Sequence, residues 1–257
     1  MQSIRGLQLG RKVAVVTGGS RGLGREMCAE FAAHGATVVV ASRKPESCVS
    51  LAEELTSTYG VEAIGVGAHV GRWADCDKLV EHVVDRFGHI DILVNNAGMS
   101  PQYPSLGALT EELFDKVVAV NLKGPFRLSV LAGERMAGGD GGCIINVSST
   151  ASVQPGPHQL PYAAAKAGLN ALTLGLARSF GASVRVNGIM PGPFLTDVSE
   201  AWDMEAFNER APTTIALQRG GRPNEIVGAA LYLASEASSF TTGTIIKVDG
   251  GATYGAT

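Results

Sequence analysis

Two residues of this 257-residue chain have the types and spacing of a tuned acid/base: Tyr162 and Lys166, in Pro161-Tyr162-Ala163-Ala164-Ala165-Lys166-Ala167-Gly168. The alanine run is strongly helix-forming, and positions i and i+4 share a helix face, so phenol and ammonium project side by side. A tyrosine hydroxyl titrates near pH 10 and exchanges protons poorly at neutrality. A lysine cation about 4 Å away favours the phenolate by a few kcal/mol at an effective dielectric of about 20, roughly two or three pK units. The same spacing also fits an amphipathic helix with one aromatic and one exposed lysine. The pair gains meaning only from the elements that position it.

Short β-branched runs alternate with longer helical patterns, the signature of βαβ units and a parallel sheet. Strands are expected at residues 12–17, 37–41, 63–67, 90–94, 142–147, 184–189 and 244–248. Several are continuous apolar runs, as strands covered on both faces should be. Helices are expected at about 22–34, with Leu23, Met27 and Phe31 at four-residue spacing and Gly35 as cap, at 74–87 closed by Gly88, and at about 110–136. These elements predict an α/β chain: a three-layer Rossmann fold around a seven-stranded parallel sheet, with ligands at the carboxyl ends of the strands. No linker or repeat divides residues 1–257, so one nucleotide-binding domain is expected. Residues 192–222 have mixed polarity and no clean strand, and are expected to form a lid over the site.

Directly after the first strand comes Thr17-Gly18-Gly19-Ser20-Arg21-Gly22-Leu23-Gly24, leading into a helix. Glycines permit a tight turn and close backbone approach to a pyrophosphate, which then meets the positive helix N-terminus. Further motifs follow in order: Asn95-Asn96-Ala97-Gly98 after strand four, Asn121 in Val120-Asn121-Leu122-Lys123-Gly124, Ser149 thirteen residues before Tyr162, Pro191-Gly192-Pro193-Phe194-Leu195-Thr196, and Val248-Asp249-Gly250-Gly251.

On these motifs nearly the whole chain resembles a short-chain dehydrogenase/reductase of the single-domain type, similar to 3-oxoacyl reductases and NADP-dependent ketone reductases. The resemblance implies hydride transfer between a nicotinamide and a ketone or secondary alcohol. Tyr162 would exchange the proton, and Ser149 would hold the substrate oxygen. Lys166 would lower the phenol pKa and hold the nicotinamide ribose, and Asn121 would anchor a water relaying protons from Lys166. It also implies cofactor contacts from Gly18, Ser20, Arg21, Gly22, Leu23 and Gly24, from Asn96, Ala97 and Gly98, and from Pro191, Gly192, Phe194 and Thr196, besides Tyr162 and Lys166.

Charge argues for NADP(H) over NAD(H), with NAD(H) still possible. An NAD enzyme tends to carry a carboxylate after strand two. Here that strand ends Ala41-Ser42-Arg43-Lys44, and no acid appears before Glu46. Arg43 offers a planar fork to a 2′-phosphate, Ser42 a hydroxyl, and Arg21 a second cation. After strand three the family usually places Asp-Val, whereas this chain has His69-Val70. His69 is expected to stack on adenine or accept from it.

The substrate is less determined. Loop 99–104, segment 154–160 and the lid should wall the pocket, with Gln154, His158 and Trp202 as candidate contacts. The positions that carry carrier-protein-docking cations in 3-oxoacyl reductases align with Asp140 and with Ala182 or Ser183, which disfavours an acyl-carrier substrate. A neutral ketone or secondary alcohol is expected. The alternatives are a 3-oxoacyl thioester reductase and a non-catalytic NADP-binding regulator.

A net charge of -3 gives no case for nucleic acid or an anionic membrane. The four cysteines have no metal spacing, so no metal is expected. The chain shows no apolar leader and no apolar run near 18 residues, and a soluble, cytoplasmic protein is expected. By resemblance it would be a homotetramer.

Overall fold

A computed structural model of the protein describes residues 6–197, 199 and 202–253. The N-terminal residues 1–5 and lid positions 198, 200 and 201 lie outside the described residues. Seven strands form one parallel sheet in the order β3-β2-β1-β4-β5-β6-β7. They are β1 (Val13–Thr17), β2 (Thr37–Ser42), β3 (Ala63–Gly67), β4 (Ile92–Asn95), β5 (Gly142–Val147), β6 (Val184–Pro191) and β7 (Ile245–Val248). The helices are α1 (Gly22–Ala33), α2 (Pro45–Tyr59), α3 (Trp73–Phe87), α4 (Glu111–Val118), α5 (Gly124–Ala137), α6 (Leu160–Phe180), α7 (Met204–Thr214) and α8 (Val227–Ala234).

The unbroken apolar strands follow from burial on both faces. Ala14 and Val16 of β1 pack into one layer with Met27, Phe31, Leu51 and Leu231. Val13 and Val15 point the other way, into a layer with Leu79, Leu128 and Leu176. Helices α1, α2 and α8 therefore cover one face, and α3, α5 and α6 the other. Helix α1 stops where Gly35 takes φ +88°, and α3 where Gly88 takes φ +81°; both left-handed stops were legible as glycines.

The helix expected over 110–136 differs in one respect. It is interrupted by a π-helical turn, Ala119–Lys123, between α4 and α5. Such wide turns open the i→i−4 ladder, often beside functional sites. Here the turn holds Asn121.

At the amino end of the sheet, Arg185 of β6 closes the last turn of α8. Its guanidinium donates to Leu233 O and Ser238 Oγ through Nη1 and to Ser235 O through Nη2, at 2.7–3.2 Å. These helix-end carbonyls have no intrahelical donor. We expect Arg185→Met to lower stability by about 2–3 kcal/mol in urea unfolding, with kinetics of the folded protein unchanged because the substitution is remote from the carboxyl edge.

Candidate active site

Strand order reverses between β1 and β4, and the connections from these strands leave in opposite directions, opening a crevice at their carboxyl ends. Thr17 and Asn96 bridge it. Thr17 Oγ1 donates to Val94 O and accepts from the backbone N–H groups of Asn96 and Ala97, each at 3.1 Å. Asn96 Nδ2 donates to Thr17 O (2.9 Å) and Gly18 O (3.1 Å). The glycine turn is thus bound to the end of β4. Gly18 needs its φ of +62°. At Gly24 a Cβ would collide with the Gly18 carbonyl and lie 2.5 Å from Asn96 Nδ2. Leu23 lies in α1 against the core.

The other expected cofactor residues gather around this turn. Ser20 and Ser42 hydroxyls are 3.0 Å apart, and Ser42 also meets Cys48 Sγ at 3.0 Å. Thr196 packs over Gly22, 3.5 Å from where a Cβ would sit. The glycine turn and the Pro191–Thr196 stretch, far apart in sequence, therefore meet. Pro191 ends β6, Gly192 N donates to Val248 O (3.0 Å), and buried Phe194 bridges to Gly221. Arg21, Arg43 and Lys44 are exposed, and none enters an ion pair among the described residues. Backbone cradle and unpaired cations fit a dinucleotide phosphate.

At the end of β3, Val70 is buried beside half-buried His69. His69 Nδ1 accepts from Gly71 N (3.1 Å), and His69 N donates to Asp75 Oδ2 (3.2 Å). With Nδ1 accepting from this local turn, a neutral imidazole carries its proton on Nε2 and has no acceptor left for adenine; its ring face and an Nε2–H donor remain. An open cleft of about 490 Å³ lies beside it, lined by His69, Gly71, Val120, Lys116 and Lys123.

On α6, Tyr162 and Lys166 share a face as expected, with Lys166 Nζ 5.7 Å from the centroid of the phenol ring. Lys166 is 2% exposed and donates to Val147 O at 2.7 Å. The electrostatics reverse the sequence expectation. Burial raises the Tyr162 pKa above its ordinary value, and only a hydrogen bond from Ser149 pulls it back. Burial also lowers Lys166 to about 8. Desolvation of the charged forms outweighs the lysine's attraction for a phenolate. At neutral pH Tyr162 is therefore a protonated donor beside a weakly held cation.

Ser149 follows β5 and caps a short helical turn, its Oγ accepting from Ala151 N (3.2 Å). Asn121 is fully buried in the π turn. Its Nδ2 donates to Met99 O (2.8 Å) and Val117 O (2.9 Å), and its Oδ1 accepts from Met99 N (3.2 Å). Both amide hydrogens are committed to the protein. Gly98 lies between: a Cβ there would be 3.0 Å from Asn121 Oδ1 and 3.6 Å from Lys166 Nζ.

Sequence reasoning missed Tyr103. Its hydroxyl donates to Pro157 O and accepts from Leu160 N, each at 3.0 Å. It thereby ties loop 99–104 to segment 154–160 and fills an orphan donor at the start of α6, two residues before Tyr162. Gln154 and His158 are exposed on that segment. Trp202 packs against Phe207 with ring centroids 5.6 Å apart and planes tilted by 45°, joining the small apolar cluster of Phe207, Ala211 and Ile215. Asp140 and Ser183 adjoin the amino ends of β5 and β6, opposite this site.

This sheet and this arrangement of side chains define a nucleotide-binding oxidoreductase, and comparison with known proteins names the family. A family profile described as enoyl-(acyl carrier protein) reductase matches residues 18–253. The chain is 38% identical to L-rhamnose 1-dehydrogenase (NAD(P)(+)) of Azotobacter vinelandii over 93% of its own length and 96% of that protein. It is 37% identical to a 3-oxoacyl-[acyl-carrier-protein] reductase of Thermotoga maritima, over 95% and 99%. Among solved structures, L-sorbose reductase from Gluconobacter frateurii, complexed with NADPH and L-sorbose, superimposes with a TM-score of 0.90 at 28% identity, covering 96% and 98%. The chain belongs to the short-chain dehydrogenase/reductase family.

The lysine's burial has a measurable consequence. A folded-state value of about 8 against 10.5 unfolded means the unfolded chain holds this proton more tightly. The penalty, on the order of 3 kcal/mol, is full below pH 8 and fades as pH rises to 10.5. We expect Lys166→Met to raise stability by about 1–3 kcal/mol at pH 7, less at pH 10, while turnover collapses; urea unfolding at both pH values checks it.

Proposed function

We propose that the protein is an NADP(H)-dependent oxidoreductase acting on a neutral ketone or secondary alcohol, with Tyr162 as its acid/base. The observation that carries this reading is the Tyr162 phenol on one helix face with buried Lys166, whose Nζ lies 5.7 Å from the ring centroid, with Ser149 at the end of β5 as the neighbour that draws the phenol pKa down. When bound, the nicotinamide supplies or accepts the hydride. In the reductive direction Tyr162 gives its proton to the substrate oxygen while the Ser149 hydroxyl holds that oxygen and stabilises its developing charge. Lys166 holds the ribose, and its cation then stabilises the phenolate left behind. Asn121 fixes Met99 and keeps the floor of the site in register.

Gly18, Gly22 and Gly24 let the backbone approach the pyrophosphate, and Asn96, Ala97 and Gly98 line the ribose side. Ser42, Arg43, Lys44 and Arg21 take the 2′-phosphate; their freedom from internal ion pairs supports NADP(H). Residues 192–222 act as the lid, with the aromatic cluster around Phe207 moving as its unit. The soluble, cytoplasmic character and the homotetramer belong to the same reading. No described helix is long and apolar enough to cross a membrane, and Phe114 and Leu174 expose apolar surface on α4 and α6.

A 3-oxoacyl thioester is the second reading, favoured by the Thermotoga relative. A panel of diketones, keto-sugars, cyclic ketones and β-keto thioesters separates the two. With NADPH we expect kcat/KM above that with NADH, and Arg43→Glu to cut it about 10–100-fold for NADPH while leaving NADH within a few-fold; a wild-type preference for NADH overturns the cofactor assignment. Tyr162→Phe should bind NADPH as tightly as wild type and lose about 10²–10⁴-fold in kcat. Retained turnover would mean that another group supplies the proton.

A further inference from the structure

The catalytic face of α6 continues one turn beyond Lys166. Tyr162, Lys166 and Asn170 stand at i, i+4 and i+8, so all three project to the same side. Asn170 touches neither of the other two functional groups directly. Its carboxamide instead joins the two serines that bracket Ser149. Ser148 Oγ donates to Asn170 Oδ1 at 2.6 Å, and Asn170 Nδ2 donates to Ser152 Oγ at 2.9 Å. Ser152 Oγ then donates to the Ser149 carbonyl at 2.6 Å.

The direction of this chain is fixed by hydrogen counting. A serine hydroxyl has one proton. Ser152 commits its proton to Ser149 O and must accept from position 170, while Ser148 gives its proton to the shorter of two acceptors, Asn170 Oδ1 at 2.6 Å over Lys166 O at 3.4 Å. Only a group with a donor on one side and an acceptor on the other satisfies both, and asparagine is such a group. Ser148 is 3% exposed and its backbone N–H is held by Ile189 O at 2.7 Å, so one end of the chain is anchored in the sheet. The other end is the turn whose backbone places Ser149 Oγ, through Ala151 N.

We propose that Asn170 is a positioning residue for the reaction: it braces the Ser149 turn against α6 and so sets the separation of the Ser149 and Tyr162 hydroxyls. This rests on the reading of those two hydroxyls as the pair that holds and protonates the substrate oxygen. Without the brace the turn keeps its backbone bonds, and Ser148 keeps only a longer contact to α6, from its Oγ to Lys166 O at 3.4 Å, while Ser152 loses its tie to the helix. A displacement of about 1 Å at such a pair costs on the order of 100-fold in rate.

The test uses Asn170→Leu, Asn170→Asp and Ser152→Ala, with Ser149→Ala as reference. In Asn170→Asp the donor toward Ser152 is lost with volume unchanged, and Ser152→Ala removes the same link from its far end. We expect each to lower kcat about 10–100-fold, with NADPH affinity within two-fold of wild type and ketone KM little changed. The double variant Asn170→Asp/Ser152→Ala should be no worse than Asn170→Asp alone. Hydrogen exchange gives a readout that needs no substrate: the amides of Ser152, Val153 and Gln154, bonded within the turn, should exchange about 10-fold faster, with the amides around Tyr162 unchanged. A lower Tm with kcat and turn exchange unaltered would overturn the brace and leave Asn170 a packing residue. Ser149→Ala with full turnover would sink the underlying site reading instead. Ser149→Ala inactive beside a fully active Asn170→Asp would sink the brace alone.

Discussion

Everything at the carboxyl edge depends on the cross-link between Thr17 and Asn96. Parallel strands whose connections diverge leave backbone donors and acceptors without partners where the sheet splits, and a buried unpaired group costs about 1–3 kcal/mol. The Thr17 hydroxyl and the Asn96 carboxamide together satisfy three carbonyls and two N–H groups there. That satisfaction fixes the glycine turn, which in turn aims the start of α1 into the crevice. The segment is pinned again at Met99, whose N–H and C=O both bond to Asn121. One short stretch of backbone after β4 thus holds its place relative to both the phosphate-binding turn and the π turn.

The same edge carries groups that work against folding. Lys166 is buried beside the Val147 carbonyl, and burial depresses its pKa. Beneath it, Asn95 donates to Ser129 Oγ and Asn146 Oδ1, and Asn146 passes the chain to Thr173. Asn95 Oδ1 has no hydrogen-bond partner among the described residues. A core of aliphatic side chains would be more stable here. The donors of the ladder are satisfied and hold Asn95, Ser129, Asn146 and Thr173 in one arrangement, with the Asn95 oxygen as its one unpaired end among the described residues. Asn170 extends that logic from the sheet to the turn of Ser149.

Much of this was legible in the sequence because its signals are local. All seven strands lie within two or three residues of their expected bounds, since strands buried on both faces leave unbroken apolar runs. Gly35 and Gly88 marked helix ends because positive φ favours glycine. The glycine turn and the Ser149, Tyr162 and Lys166 positions follow fixed spacing. What escaped was set by tertiary geometry. The π turn has no composition of its own and arises where Asn121 must reach Met99. Tyr103 looked like pocket wall, and its hydroxyl partners lie more than fifty residues away. The phenol's pKa went the other way because a pairwise charge argument omits desolvation, and how deeply Tyr162 and Lys166 are buried is decided by β5, β6 and the π turn together.

The division of labour between rigid and variable parts explains how relatives named for a sugar, a carrier-bound acyl group and a keto-sugar can share this fold. Ser149, Tyr162, Lys166 and Asn121 sit just after β5, on α6 and on a helical turn held by short hydrogen bonds, and on the proposed reading that frame sets the geometry of hydride and proton transfer whatever surrounds the carbonyl. On the same reading the walls come from three separate stretches: loop 99–104, segment 154–160 and the lid. In this chain the first two are not independent, because Tyr103 joins them. A substitution that reshapes one must therefore move the other, and with it the first turn of α6. On the proposed reading, substrate choice at these two walls and the placement of Tyr162 are coupled through that single hydroxyl, whereas the third wall, the lid, packs around Phe207 in a cluster of its own.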